Sequence, residues 1–225
     1  MKVLGGLVAV AAALASAPAL AQAADDAGTV FSAALTGGTL GVGPEVGARF
    51  SDHLGVRGSA SFLKISANFD PDDITYKGRL NLESYGLMAD VYPFGGHFRV
   101  SAGARINKNR ARVEATPTSG SVDVGGESYD FRDVGTLSGR ADVKNLAPAL
   151  TLGWSGTRRR GFMYSFDAGV LFQGSVRLRE FTASGEARND PDFRASLETE
   201  RRRLQDDIDD YKVYPILQMS IGYRF

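Results

Sequence analysis

The chain has 225 residues, with 26 basic and 26 acidic side chains, 27 glycines and no cysteine. The charge balance excludes a partner that must be neutralised by a basic excess, nucleic acid above all, and the lack of cysteine excludes a disulfide scaffold. So much glycine suits many strands meeting at turns better than a helical protein.

Residues 1–23 begin with Lys2, run apolar from Val3 to Leu20 and close on Ala21-Gln22-Ala23. This reads as a secretory leader cleaved after Ala23. The alternative, a membrane anchor, needs ~20 strongly apolar residues and the stretch is Ala-rich and short. Loss of Lys2 leaves residues 24–225 at 25 − 26 = −1, and they read as a single domain.

From residue 29 onward the dominant period is two. "TVFSAALT" (29–36) with Gly37-Gly38 reads as one arm of a hairpin. Val42, Pro44, Val46, Ala48 and Phe50 then oppose Gly43, Glu45, Gly47 and Arg49, and Leu54, Val56, Gly58, Ala60 and Phe62 oppose Gly55, Arg57, Ser59 and Ser61. Tyr85, Leu87, Ala89 and Val91 oppose Gly86, Met88 and Asp90; Leu80 and Leu82 fall on the other parity, which predicts a bulge near Glu83-Ser84. The same alternation recurs at 98–107 (Arg99 and Arg105 on the polar face), 146–155, 162–172 (Asp167 on the polar face) and 215–225. Passes are expected at about 29–36, 39–50, 54–66, 77–92, 97–110, 143–156, 162–177 and 211–225, eight in all, or ten if 118–142 hides another pair.

Strands with one apolar face suit a soluble sandwich or a membrane barrel. The other face decides between them. Arg49, Arg57, Arg99, Arg105, Glu45, Asp90 and Asp167 sit mid-strand among Gly, Ser and Ala, a pattern for a crowded lumen rather than a solvated surface. Short turns (51–53, 94–97, 157–161) alternate with long polar stretches (67–76, 112–142, 175–210), as in transmembrane barrels. Phe50, Tyr92, Phe94, Phe98, Trp154, Phe162, Tyr223 and Phe225 lie near the short turns or the last residues, where they would form an interfacial girdle. The expected fold is all-β, an antiparallel up-and-down transmembrane β-barrel.

Within 190–210 the period breaks. Asp190 suits a cap and Pro191 the first turn, and Phe193, Leu197, Leu204 and Ile208 have helical spacing, predicting a short amphipathic helix in the last outer loop. It would serve as a plug or partner-binding cap, or simply fold over the rim.

Several stretches resemble an uncharacterised family of proteobacterial outer-membrane barrel proteins, small barrels of the OmpA and OmpW kind. These are "GTLGVGPEVGARFSDHLGVRG" (38–58), "LESYGLMADVYPFGGHFRVSAG" (82–103), "VGTLSGRADVKNLAPALTLGW" (134–154) and "LQDDIDDYKVYPILQMSIGYRF" (204–225). The resemblance implies location and fold, and no site residues. It also implies a role for Ile221, Tyr223 and Phe225 as the C-terminal signal read by the barrel-assembly machinery. Expected partners are therefore that machinery, outer-membrane lipid and lipopolysaccharide, with the chain a monomer.

Enzyme chemistry finds little support. The only histidines, His53 and His97, fall in short turns, and no Gly-x-Ser-x-Gly elbow occurs. The acidic runs Asp70-Pro71-Asp72-Asp73 and Asp206, Asp207, Asp209, Asp210 lack calcium-loop spacing, so no metal or cofactor is expected. Arg158, Arg159 and Arg160 would be solvated or touch anionic headgroups. The reading is an integral barrel with a structural or surface-interaction role and a lumen closed by ion pairs; the alternative is a narrow pore for small or apolar solutes.

Overall fold

The computed structural model describes residues 28–70, 74–156 and 160–225. The expected leader (residues 1–23), Pro71, Asp72, Asp73, Arg158 and Arg159 lie outside the described residues. No helix among the described residues is long and apolar enough to cross a membrane.

The ring is built from β1 (Val30–Gly38), β2 (Gly41–Arg49), β3 (Leu54–Phe69), β4 (Ile74–Val91), β5 (Phe98–Asn107), β10 (Leu146–Ser155), β11 (Gly161–Leu171) and β14 (Tyr214–Arg224). Each pairs antiparallel with its neighbours. The ring closes where β1 meets β14, from Ser32 opposite Arg224 to Gly38 opposite Gln218. The fold is an eight-stranded up-and-down transmembrane β-barrel. The first arm runs nine residues rather than ending at 36. Its turn is Thr39-Leu40, followed by Gly41 at φ +107°, a backbone state few side chains adopt. A Cβ there would also meet the Phe62 carbonyl at 2.8 Å.

The other strands lie outside the ring, so 118–142 does not raise the count. After Lys108-Asn109, β6 (Arg110–Pro117) continues the line of β5 and pairs with the outer half of β4. In the same way β9 (Leu137–Asp142) precedes β10 and pairs with β6, and two short strands, β12 (Arg177–Leu178) and β13 (Thr182–Ala183), add to its edge. Together with the outer half of β3 these form a flap standing above one side of the barrel.

The expected bulge at Glu83-Ser84 is absent. β3 and β4 pair in one unbroken register from Leu54–Val91 to Phe69–Tyr76. The apolar parity changes there because the surroundings change, not the pairing. Inside the barrel wall, Tyr85 and Leu87 face out and Ser84, Met88 and Asp90 face in. Above the rim the faces exchange polarity. Leu63, Ile65, Leu80 and Leu82 continue the lumen face, while Lys64, Lys77, Arg79 and Asn81 continue the lipid face. A strand leaving lipid for water must turn its apolar side inward, and a change of residue type at fixed register is enough.

A hairpin of β7 (Ser121–Val124) and β8 (Glu127–Asp130), the one-turn helix α1 (Phe131–Val134) and the helix α2 (Pro191–Ile208) form a second small core. Val124, Val134 and Phe193 are buried in it, so α2 packs on the hairpin rather than plugging the barrel. Asp190 caps α2 by accepting from the Asp192 amide at 2.9 Å, with Pro191 at the first helical position. The carboxylates of Asp206, Asp207 and Asp209 oppose the dipole at its other end, and the helix stops there.

Candidate functional site

The barrel interior is filled in layers. At the turn end, Arg49 lies 3.7 Å over the Tyr92 ring and donates to the carbonyls of Gly95 (2.9 Å) and Gly96 (3.3 Å). Arg224 donates to the Gly156 carbonyl at 3.0 Å. Arg49 thus ties the first two short turns to each other, and Arg224 ties the end of β14 to the third.

The middle layer is centred on Arg57. Its guanidinium meets Asp90 at 2.7 Å, Glu45 at 3.2 Å and Asp167 at 3.2 Å, and it donates to the Ser101 hydroxyl at 3.2 Å. Arg99, 1 % exposed, makes a two-point bond to the Asp167 carboxylate. The fork of one arginine and the two oxygens of Asp167 thus link β3, β5 and β11 across the lumen. Glycine makes room for these groups. A Cβ on Gly153 would strike Asp167 and lie 2.9 Å from Arg99, and one on Gly86 would lie 2.5 Å from Arg105.

Arg105 takes a different place from the one its sequence suggests. It donates to Ser59 (2.9 Å), Ser84 (2.9 Å) and Ser61 (3.3 Å) rather than to a carboxylate. A cavity of about 40 Å³ remains beside it, room for a few waters. Above lies an apolar layer of Leu40, Met88, Ala147, Ala149, Leu171 and Ile216, over which the Tyr214 hydroxyl donates to the Thr39 carbonyl at 2.7 Å.

The structure thus brings together Glu45, Arg57, Asp90, Arg99 and Asp167, and sets Arg49 and Arg105 in neighbouring layers. Sequence reading passed over the serines and Arg224, although their inward parity marks them. It also missed Leu40, which reaches the lumen only through the turn geometry.

Phe50, Phe94, Trp154, Phe162 and Tyr223 are exposed at the turn end, with Phe98 partly so. Tyr92 does not belong with them. It is 3 % exposed and faces inward, because it shares the parity of Asp90. Ile221 and Tyr223 point outward on β14, and the Phe225 amide donates to the Phe31 carbonyl at 2.9 Å. His53 and His97 each place Nδ1 on a turn carbonyl, those of Tyr92 (2.9 Å) and Ser155 (2.8 Å), and His97 stacks on Trp154.

Beyond the rim, an apolar cleft of about 590 Å³ lies between the inner face of the flap (Tyr76, Val113, Leu137) and Phe181, Leu204 and Ile208. On α2, Glu198 bonds Arg201 at 2.7 Å and Arg202 at 2.9 Å. The two arginine hydrogen bonds hold its carboxyl down to about 2, against an ordinary 4.5. A depressed carboxyl contributes stability above its ordinary value and loses it as pH falls through its folded value. Hydrogen-exchange protection of the α2 amides, corrected for intrinsic rates, is expected to hold at pH 5 and weaken toward pH 2; in Glu198→Gln this step should vanish. An identical fall in both proteins would show that the pairs do not support the helix.

A closed ring of eight antiparallel strands, apolar outside and filled with side chains inside, defines a transmembrane barrel. Among solved structures the chain is similar to Acinetobacter baumannii CarO2, with a TM-score of 0.60 and 18 % identity over 87 % of this chain and 98 % of that one. It is similar also to Acinetobacter baumannii CarO, with a TM-score of 0.56 and 17 % identity over 86 % and 97 %. At these identities the likeness is one of fold. No family model and no curated protein sequence matches the chain.

Proposed function

We propose that this chain is an integral protein of the bacterial outer membrane whose work is structural or at the cell surface, and whose lumen does not conduct. The observation that carries the reading is the Arg57 cluster, with three carboxylates on one buried guanidinium and an apolar layer above it. An eight-stranded lumen is just wide enough for side chains to fill, and here ion pairs and hydroxyls fill it. Placement in the outer membrane is supported by the apolar outer wall, including Leu35, Leu87, Leu146, Leu152, Met219 and Ile221, by the leader-like residues 1–23 and by the barrel fold. On this reading Ile221, Tyr223 and Phe225 are what the assembly machinery reads, and the flap with α2 is the surface displayed outward.

Single-channel conductance of the refolded protein in a planar bilayer tests it, and a silent bilayer is expected. Stable, reproducible openings would overturn the reading in favour of a narrow pore, with Glu45, Asp90, Arg99 and Arg105 as its selectivity candidates.

A further inference from the structure

The outward face of the flap carries a charge pattern that folding alone does not explain. Arg79 lies directly opposite Arg112, and Arg112 directly opposite Arg140. The Arg179 amide then donates to the Arg140 carbonyl at 2.8 Å, which places a fourth arginine in the same cross-strand row. One row nearer the barrel run Lys64, Asn81, Arg110, Asp142 and Arg177. Lys108 and Lys144 stand below them at the rim. Like charges directly opposite one another destabilise a sheet, and the chain as a whole is neutral. The carboxylates on or beside this face are Glu83, Glu114, Asp142 and Glu180. Lys108 pairs with Glu83 at 3.5 Å and Arg179 with Asp142 at 2.8 Å, while Glu198 is committed to its own helix. Among the described residues, Arg79, Arg110, Arg112, Arg140 and Arg177 form no ion pair, and all are exposed.

The position of this face is fixed by the register. It continues the wall that carries Tyr85 and Leu87, and so begins where the lipid-facing surface ends. It is also concave. A polar hollow of about 950 Å³ is lined by Arg112, Arg140, Arg179 and Arg201 together with Glu114, Glu180 and Glu198. A second, of about 730 Å³, is lined by Lys108, Arg110, Lys144, Arg177 and Arg179. Both fall in the size range of small-molecule sites. Guanidinium forks bind phosphate oxygens two at a time.

We propose that this face binds phosphorylated headgroups of the membrane leaflet over which it stands. Arg79, Arg112 and Arg140 would grip the phosphates, with the two hollows receiving the sugar that bears them. The proposal rests on the reading that the barrel stands in a membrane, and it adds the residues and the ligand chemistry.

The test uses the protein folded in phosphatidylcholine nanodiscs, with and without the phosphorylated glycolipid lipid A, and reads the thermal unfolding midpoint as a function of lipid A content. Insertion is scored separately, by co-flotation with phosphatidylcholine vesicles, so that failure to enter a membrane is told apart from failure to bind headgroups. Lipid A is expected to raise the midpoint in a saturable way. Arg79→Gln/Arg112→Gln/Arg140→Gln should weaken the apparent affinity by about tenfold or more, given the attraction of each basic residue to an anionic surface. Arg132→Gln/Arg188→Gln, outside this face, should not. Should the triple variant not fold, as judged by heat-modifiable mobility, Arg112→Gln alone takes its place. Equal affinity in the wild type and the face variant overturns the proposal. So does an equal response to dephosphorylated lipid A, or an equal midpoint rise with inorganic phosphate, which would make the site one for free anions.

Discussion

Replacing Arg57 by methionine is expected to cost about 3–5 kcal/mol of folding stability, the range for removing one partner from a buried ionic cluster. Among the described residues, this guanidinium alone touches Glu45, Asp90 and Asp167 together, at 3.2, 2.7 and 3.2 Å. Without it Asp167 keeps Arg99, but Glu45 and Asp90 are left buried with no counter-charge at bonding distance among the described residues. Unfolding in urea from lipid vesicles would measure the loss. Arg57→Lys should recover only part of it, because one ammonium cannot hold three carboxylates in a fork geometry. Adding Glu45→Gln and Asp90→Asn to Arg57→Met should recover more, since the charges left uncompensated are then gone. A methionine variant within about 0.5 kcal/mol of wild type, the usual range for an inconsequential substitution, would mean that the cluster fills the lumen without holding the barrel together.

The second large effect concerns the exchange of faces along β4. Leu87 is 63 % exposed on the barrel wall, and Asn81 lies on the same face of the same strand beyond the rim. If the boundary between lipid and water runs near Glu83, Leu87→Arg should cost about 2–4 kcal/mol, the figure for a basic residue on the lipid face of a barrel near the midplane. Asn81→Arg should cost no more than about 1 kcal/mol, the range for a like charge facing Lys64 and Arg110 across the strands. The two substitutions introduce the same side chain on the same strand face, and the larger loss at Leu87, which faces only Gly58 and Ala104, would come from depth. Matching losses would move the boundary past the flap, and matching indifference would place Leu87 outside the hydrocarbon.

Much of this architecture is legible in the sequence because alternation is a local property. Arg57, Arg99 and Asp167 belong to different strands, yet each was assignable to the lumen from its own neighbours. What alternation could not supply was where a strand changes surroundings. Leu80 and Leu82 break parity with Leu87. A bulge explains that as well as a change from lipid to water does, and only the partner register of β3 separates the two. The basic row was hidden for a related reason. Arg112 and Arg140 lie in a stretch whose polar outer face and weakly apolar inner face (Ala111, Val113, Gly139, Ala141) read as a loop, and their adjacency appears only once β6 and β9 pair. Tyr92 shows the opposite error. Nearness to a turn suggested the girdle, whereas its parity with Asp90 places it inside.

The unbroken ladder between β3 and β4 has a further consequence. No bulge or glycine joint interrupts β3 and β4 where the flap leaves the barrel, so no hinge separates the two along this ladder, although β5 and β6, and β9 and β10, are each broken at the rim. A binding loop on a flexible stalk loses conformational freedom each time it engages, and that loss is subtracted from its affinity. A surface carried on continuous sheet has already lost that freedom on folding. Whatever meets the flap therefore meets a stiff template whose orientation to the membrane plane is set by the barrel.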